Sequence, residues 1–253
     1  MTGPLAGRRV VVTRTAEQAG RLREVLARAG AEVLEVPVIE VVDPVDGGAA
    51  LRAAADRLVD GRYAWVVITS ANGAARLAAA LGSRRVPDGT AVAAVGPATA
   101  DALAAHGFEV ALVPERYVGE ALVEAFPPPP AGEERPVLVA QAEGARPVVA
   151  EGLRAAGWTV DAVVAYRTVA AVVPPALAAE ARRADAITFT SGSTVRNALA
   201  ALGPDGLPPV VACIGPVTAA EAEALGVTVT VVSAESTLAS LVDALASVWR
   251  PRA

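Results

Sequence analysis

Short Val-rich apolar runs alternate along the whole chain with longer stretches in which Ala and Leu recur at helical spacing. The runs at 9–13, 32–37, 65–69, 92–95, 110–113, 137–139, 187–190, 210–214 and 227–232 are of strand length and read as buried strands. After the first of them, Leu22, Val25, Leu26 and Ala29 fall at i, i+3, i+4 and i+7. That spacing lines one face of a helix, which Gly30 then ends. Strands alternating with helices imply right-handed β-α-β units. The predicted class is α/β, with parallel sheets covered on both faces.

The pattern also repeats. Ile68-Thr69-Ser70-Ala71-Asn72-Gly73 returns as Phe189-Thr190-Ser191-Gly192-Ser193-Thr194, and Ala94-Val95-Gly96-Pro97-Ala98-Thr99 as Cys213-Ile214-Gly215-Pro216-Val217-Thr218. A second set, Val10, Leu26, Gly30 and Val36, returns at constant offset as Val137, Leu153, Gly157 and Val163. The order is therefore A, B, A′, B′. The proline run from Pro127 to Pro130, where a helix must end, marks the junction between the halves. Either each half is a domain, or the halves are exchanged so that A pairs with B′ and B with A′. The repeat alone does not choose. An exchange requires two crossings, near 39–44 and 166–174. Both places carry an extended Val-rich segment ending in Pro (Val41-Val42-Asp43-Pro44 and Val172-Val173-Pro174-Pro175), which favours exchange.

Composition narrows the chemistry. All 22 basic residues are Arg, against 27 acidic ones, and the net charge is −5. Without Lys there is no Schiff base and no phosphate-loop lysine. The single His (His106) and single Cys (Cys213) cannot form a usual zinc site, a Cys–His nucleophile pair or a disulfide. An isoelectric point near 5.1 argues against nucleic acid as partner. No apolar run reaches a membrane-spanning length, and the N-terminus has no signal-peptide core, so a cytoplasmic setting is expected.

Each B unit presents a strand, then Thr-Ser, then a helix. Ser70 and Asn72, and Ser191, Ser193 and Thr194, are N-cap residues by type and position. They serve as caps alone, or they mark anion sites, since free N–H groups and the helix dipole point outwards at open strand ends. Gly96-Pro97 and Gly215-Pro216 offer the same geometry, with glycines that let a ligand come close to the backbone. Four such ends facing one cleft would suit a polyanion. A nucleotide is the rival, but no G-x-G-x-x-G follows any strand. Arg14, ending the first strand, and Arg146, in the comparable place of unit A′, are either solvated or forks for carboxylates. Tyr166 is either a packing residue or a hydroxyl reaching a cleft. His106 before Gly107 suits a helix C-terminus, Cys213 reads as inert core, and Glu143 as a cap or solvated residue.

Taken in order, these motifs resemble the uroporphyrinogen-III synthase family over nearly the whole chain. The likeness rests on Val12-Thr13-Arg14, Val36-Pro37-Val38-Ile39, Thr69-Ser70-Ala71-Asn72-Gly73, Val95-Gly96-Pro97-Ala98-Thr99, Glu143-Gly144-Ala145-Arg146, Ala165-Tyr166-Arg167-Thr168, Phe189-Thr190-Ser191-Gly192-Ser193 and Ile214-Gly215-Pro216. Each motif is weak; their order and spacing are specific.

The resemblance implies two similar flavodoxin-like parallel-sheet domains with exchanged chain halves, joined by a two-stranded connector. Residues 1–38 with 173–253 would form domain 1, 44–164 domain 2, and 39–43 and 165–172 the connector strands. It implies a monomer without metal or organic cofactor, acting on hydroxymethylbilane. The upstream bilane-forming enzyme is the one candidate protein partner. The linear tetrapyrrole, with its eight carboxylates, would lose its terminal hydroxyl to give an azafulvene. It would then close through a spiro intermediate that leaves the last ring inverted.

By position, Tyr166 matches the Tyr proposed to assist hydroxyl departure, although phenols, titrating ordinarily near 10, are reluctant acids. Arg14, Ser70, Gly96, Arg146, Thr190, Ser191, Ser193 and Gly215 would bind substrate. Many relatives carry Arg-Gly before the Glu143 position, where this chain has Gln141-Ala142. That departure leaves a second reading: a non-catalytic tetrapyrrole-binding regulatory homologue of the same fold.

Overall fold

In a computed structural model, which describes residues 3–250 and the side chains of all of these except 16–18, the chain forms two compact units. Unit 1 comprises Met1–Glu40 and Val169–Ala253; unit 2 is Val41–Thr168. In chain order the elements begin with β1 (Arg9–Val12), α1 (Ala16–Arg28), β2 (Glu32–Glu35), β3 (Ile39–Val42), α2 (Ala49–Val59), β4 (Trp65–Ile68) and α3 (Ala71–Leu81). Then follow β5 (Ala91–Ala94), α4 (Pro97–Ala105), α5 (Gly119–Ala125), β6 (Val137–Ala142), α6 (Val148–Ala155) and β7 (Val160–Ala170). The last are α7 (Pro175–Ala181), β8 (Ala186–Phe189), α8 (Gly192–Leu202), β9 (Val210–Cys213), α9 (Pro216–Ala224), β10 (Val231–Val232) and α10 (Leu238–Ser247).

The sheet of unit 1 runs β10-β9-β8-β1-β2, and that of unit 2 runs β3-β7-β6-β4-β5. In unit 1 the N-terminal β1 pairs in parallel with β8, and in unit 2 β4 pairs in parallel with β6. Each sheet thus joins a first repeat unit from one half of the chain to a second repeat unit from the other. The chain passes between units inside β3 and β7, at Glu40/Val41 and Thr168/Val169. The expected connector positions 165–170 are the last part of the long strand β7.

Unbroken apolar strands follow from burial on both faces. In unit 1 Val10 and Val12 pack with Leu22, Leu26 and Leu245, while Val11 turns to the opposite layer with Phe189 and Val195. In unit 2 Val66 and Ile68 meet Leu77 and Leu103, and Val67 meets Leu122, Leu153 and Trp158. Two buried hydroxyls add directional bonds across the exchanged pair: Thr13 donates to the Thr188 carbonyl at 2.9 Å, and Thr188 to the Val11 carbonyl at 3.0 Å. Gly30 and its repeat partner Gly157 end α1 and α6 in left-handed conformation, at φ 91° and 95°, a region that favours glycine.

Two expected strands are shorter than the pattern suggests. Residues 110–113 supply only an isolated parallel bridge from Leu112 to Ala93, and within 227–232 only Val231–Val232 is a strand. Both lie beyond the last full strand of their sheets, where one side has no ladder partner. Pro114, lacking an N–H, also stops extension of the first.

Unit 2 also holds a half-buried polar knot around the buried Tyr63. The Arg57 guanidinium donates to the Tyr63 phenol at 2.9 Å and to Asp161 at 2.7 Å, and the phenol bonds Asp161 in turn. Burial, and then the bond to Asp161, push the Tyr63 phenol up to about 12. A raised folded value means that stability is fully present below pH ~10 and is lost as pH climbs towards ~12. A loss of stability in unit 2, seen as a lower melting point, is therefore expected in that window. Tyr63→Phe, followed by circular dichroism against pH, should flatten it; an unchanged profile would contradict the assignment.

Candidate functional site

In both units the named polar residues gather where parallel strands end and helices begin, since that edge exposes backbone N–H groups that no preceding turn can satisfy. In unit 2, β4 runs into Ser70, which caps α3 from an extended conformation (φ −158°, ψ 156°) and accepts the Gly73 N–H at 3.1 Å. The same hydroxyl lies 3.0 Å from the Tyr166 phenol oxygen. Tyr166 sits on β7 opposite Ala142 of β6, where the register shifts by a bulge between Gln141 and Ala142. The Glu143 N–H donates to the Tyr166 carbonyl at 2.8 Å, which fixes the strand on the far side of that bulge. The tyrosine ring is 7% exposed and packs with the core that includes Ile68 and Leu138. It is thus a buried ring with its polar end held by a helix cap, which is the packing arrangement expected of Tyr166.

One strand further along, Gly96 caps α4 with Pro97 as the first helical residue. A Cβ on Gly96 would stand 3.1 Å from the Cβ of Tyr117. In unit 1, Gly215 caps α9 in the same way, and a Cβ there would come within 2.7 Å of the Ser236 hydroxyl. The close approach expected of a ligand at these glycines is made by the chain itself. Tyr117, whose side of the molecule is open enough to leave it 62% exposed, and Ser236 were not among the residues singled out from sequence. The repeat could have found them: they stand equally far beyond Gly96 and Gly215.

Unit 1 assembles a hydroxyl cluster. β8 ends at Phe189, and past a half-buried Thr190 the Ser191 side chain caps α8, accepting the Thr194 N–H at 3.4 Å. Its hydroxyl also lies 3.0 Å from that of Ser193. The Glu221 carboxylate packs against Gly192 and pairs with Arg196 at this same helix start. Arg14, just past β1, is half-buried, and desolvation lowers its guanidinium from the ordinary value without threatening its charge at neutral pH. Asn72, Ser193 and Thr194, expected as caps, lie inside the first turns of α3 and α8; the serines before them, in extended conformation, do the capping.

Arg146 is exposed in the turn before α6 and bonds Glu120, in the first turn of α5, at 2.7 Å. That bond, first among its influences, lowers the Glu120 carboxyl below the usual range. His106 caps the C-terminus of α4 on the surface, Cys213 is buried with its thiol pushed by burial up to about 11, and Glu143 is exposed. A cavity of about 490 Å³ beside β7 is lined by Arg57, Glu143 and Asp161 but not by Ser70 or Tyr166. Among the described residues no three His, Cys, Asp or Glu side chains are grouped to hold a metal ion, and no helix is long and apolar enough to cross a membrane.

Each unit separately offers hydroxyls, helix N-termini and guanidinium groups, and unit 2 adds the phenols of Tyr166 and Tyr117; such groups are chemically suited to carboxylates and to moving a proton. Comparison with known proteins gives the family. The family model described as uroporphyrinogen-III synthase HemD matches residues 20–243. The uroporphyrinogen-III synthase of Synechococcus elongatus is 33% identical over 203 residues, 77% of this chain and 74% of that protein. The porphyrin biosynthesis protein HemD of Ruminiclostridium josui is 33% identical over 97% of this chain, which spans 49% of that longer protein. In fold, uroporphyrinogen-III synthetase from Helicobacter pylori matches 95% of this chain and 99% of its own, with a TM-score of 0.64 at 16% identity. A mutant uroporphyrinogen III synthase of Thermus thermophilus matches 94% and 97%, with a TM-score of 0.56 at 18% identity. The chain belongs to the uroporphyrinogen-III synthase family.

Proposed function

We propose that the chain closes hydroxymethylbilane to uroporphyrinogen III, with inversion of the last ring and loss of water. The observation that carries this reading is the family match across residues 20–243. The hydrogen-bonded Ser70–Tyr166 pair supports it, because it supplies a proton donor at a strand edge rich in anion-binding groups. In this reading Tyr166 protonates the departing hydroxyl. Arg14, Arg146, Thr190, Ser191, Ser193 and the helix starts at Gly96 and Gly215 hold substrate carboxylates, and Ser70 stands beside the reacting group. The two units serve as the two domains, 1–38 with 173–253 and 44–164, joined through 39–43 and 165–172. The reading also assigns a cytoplasmic monomer, with the upstream bilane-forming enzyme as candidate partner.

The physical logic is preorganisation. The bilane cyclises unaided to the non-inverted isomer, so the protein must hold one fold of a reactive substrate and exclude the competing closure. Donors and shape accomplish that; a set of nucleophiles is not required. The test supplies hydroxymethylbilane to the purified chain and separates the products. Type III isomer is expected, and type I alone, as in the blank, rejects the assignment. Tight binding of the bilane without turnover would instead favour the regulatory homologue that the Gln141-Ala142 departure suggests.

Arg146→Ala separates binding from fold. Because the Glu120 pair is exposed, the unfolding midpoint should stay unchanged. Loss of a carboxylate contact made in both ground and transition states should raise KM about three- to tenfold with kcat unaltered. Steady-state kinetics and a melting curve measure both, and an unchanged KM removes Arg146 from the binding set.

A further inference from the structure

We propose that Ser70 is a positioning residue acting through Tyr166, not a contact for substrate carboxylates; the inference rests on Tyr166 being the proton donor. The Ser70 oxygen is engaged on one side by the Gly73 N–H at 3.1 Å, a bond that accepts and so leaves the hydroxyl hydrogen to be given elsewhere. On the other side the nearest hydrogen-bonding partner is the Tyr166 phenol oxygen at 3.0 Å. A two-bond chain therefore runs from the N-terminus of α3 through Ser70 to the phenol. Both ends are rigid: the cap belongs to an 11-residue helix, and the tyrosine is 7% exposed in the core.

The repeat makes the pairing specific. The position of Tyr166 corresponds to Ile39 in the N-terminal unit, and the equivalent cap Ser191 bonds the Ser193 hydroxyl instead of a phenol. Serine at this turn is explained by capping in both units. Of these two equivalent serines, Ser70 pairs its capping hydroxyl with a phenol and Ser191 with another hydroxyl.

During the reaction the O–H bond of Tyr166 breaks and its proton passes to the oxygen of the hydroxymethyl group. The C–O bond then breaks with its electron pair on that oxygen, which leaves as water, and the pyrrole nitrogen lone pair forms the azafulvenium. The proton shed from the last ring on closure restores the phenol. Between those events negative charge sits on the Tyr166 oxygen, and Ser70 donates into it while the Gly73 N–H steadies the serine. A bond to an ionised oxygen is about twice as strong as one between neutral groups. The contribution of Ser70 therefore grows as charge develops, and appears in kcat, with KM little changed.

The full chain is assayed with hydroxymethylbilane as wild type, Ser70→Ala, Ser70→Gly, Ser70→Thr, Tyr166→Phe and the Ser70→Ala/Tyr166→Phe pair. Ser70→Ala is expected to lower kcat about tenfold with KM within about twofold, and Ser70→Thr, which keeps the hydroxyl, to restore it. Ser70→Gly keeps an accepted capping residue and should lose kcat equally while melting closer to wild type, which separates chemistry from folding. In the Tyr166→Phe background the Ser70→Ala change should have no further effect on kcat. A raised KM at constant kcat, or an equal loss of turnover in both backgrounds, overturns the positioning role while leaving Tyr166 as donor. Full activity of Tyr166→Phe overturns both.

Discussion

Tyr166→Phe is expected to lower turnover by about 10²- to 10⁴-fold, the range that a positioned general acid contributes. The substitution removes one oxygen and leaves the ring, which is almost wholly buried beside Ile68 and Leu138. Ser70 loses one partner but keeps the Gly73 N–H, so the α3 cap survives. The variant should therefore melt near wild type and bind the bilane with similar KM, while the uncatalysed closure to the type I isomer overtakes the enzymatic product. Product analysis at fixed time, with and without protein, reads this directly. Turnover equal to wild type would remove Tyr166 from the reaction and leave binding geometry as the sole source of selectivity.

Phe189→Ala carries the largest expected cost in stability, about 3–5 kcal/mol. Phe189 is completely buried at the end of β8, opposite Cys213 of β9, and packs with Val11, Ile187 and Val195. Removing the ring opens a cavity where the N-terminal strand and the C-terminal repeat unit share one core. The parallel β1–β8 and β8–β9 pairings on either side cannot close in without breaking register. Phe189→Leu, closer in volume, should cost well under half as much. Urea midpoints for both variants decide the matter, with bilane turnover lost only where unit 1 has unfolded. A small loss for the alanine variant would mean that the β8 layer repacks more freely than its full burial implies.

Much of this was legible in the residues. Consecutive Val runs such as 9–13 announce strands buried on both faces, and Gly30 and Gly157 mark helix ends, because these features depend on local periodicity and backbone freedom. Ser70 and Ser191 were recognisable as caps for the same reason. The short runs at 110–113 and 227–232 were less so, since an edge position is a property of the sheet and leaves no mark on the residues themselves.

The candidate site was legible residue by residue but not as contacts. Sequence brought Ser70, Tyr166, Ser191, Ser193, Gly96 and Gly215 to attention. It could not say that Ser70 bonds Tyr166, 96 positions away, or that Tyr117 and Ser236 occupy the space beside the two glycines. Arg146 could be proposed as a carboxylate fork, but its pairing with Glu120 depends on how α5 lies against α6.

What the sequence determined by itself was the α/β class, the A, B, A′, B′ order and a chemistry without Lys, a Cys–His zinc site or an internal disulfide, all of which follow from residue types and their spacing. Only the tertiary structure decided that β1 joins β8 and β4 joins β6. Strand partnership is a long-range choice: parallel neighbours are linked by helices of similar length and apolarity, so several pairings satisfy the local pattern equally. The packing of complete layers selects among them. The same selection brings the β7 phenol to the α3 cap.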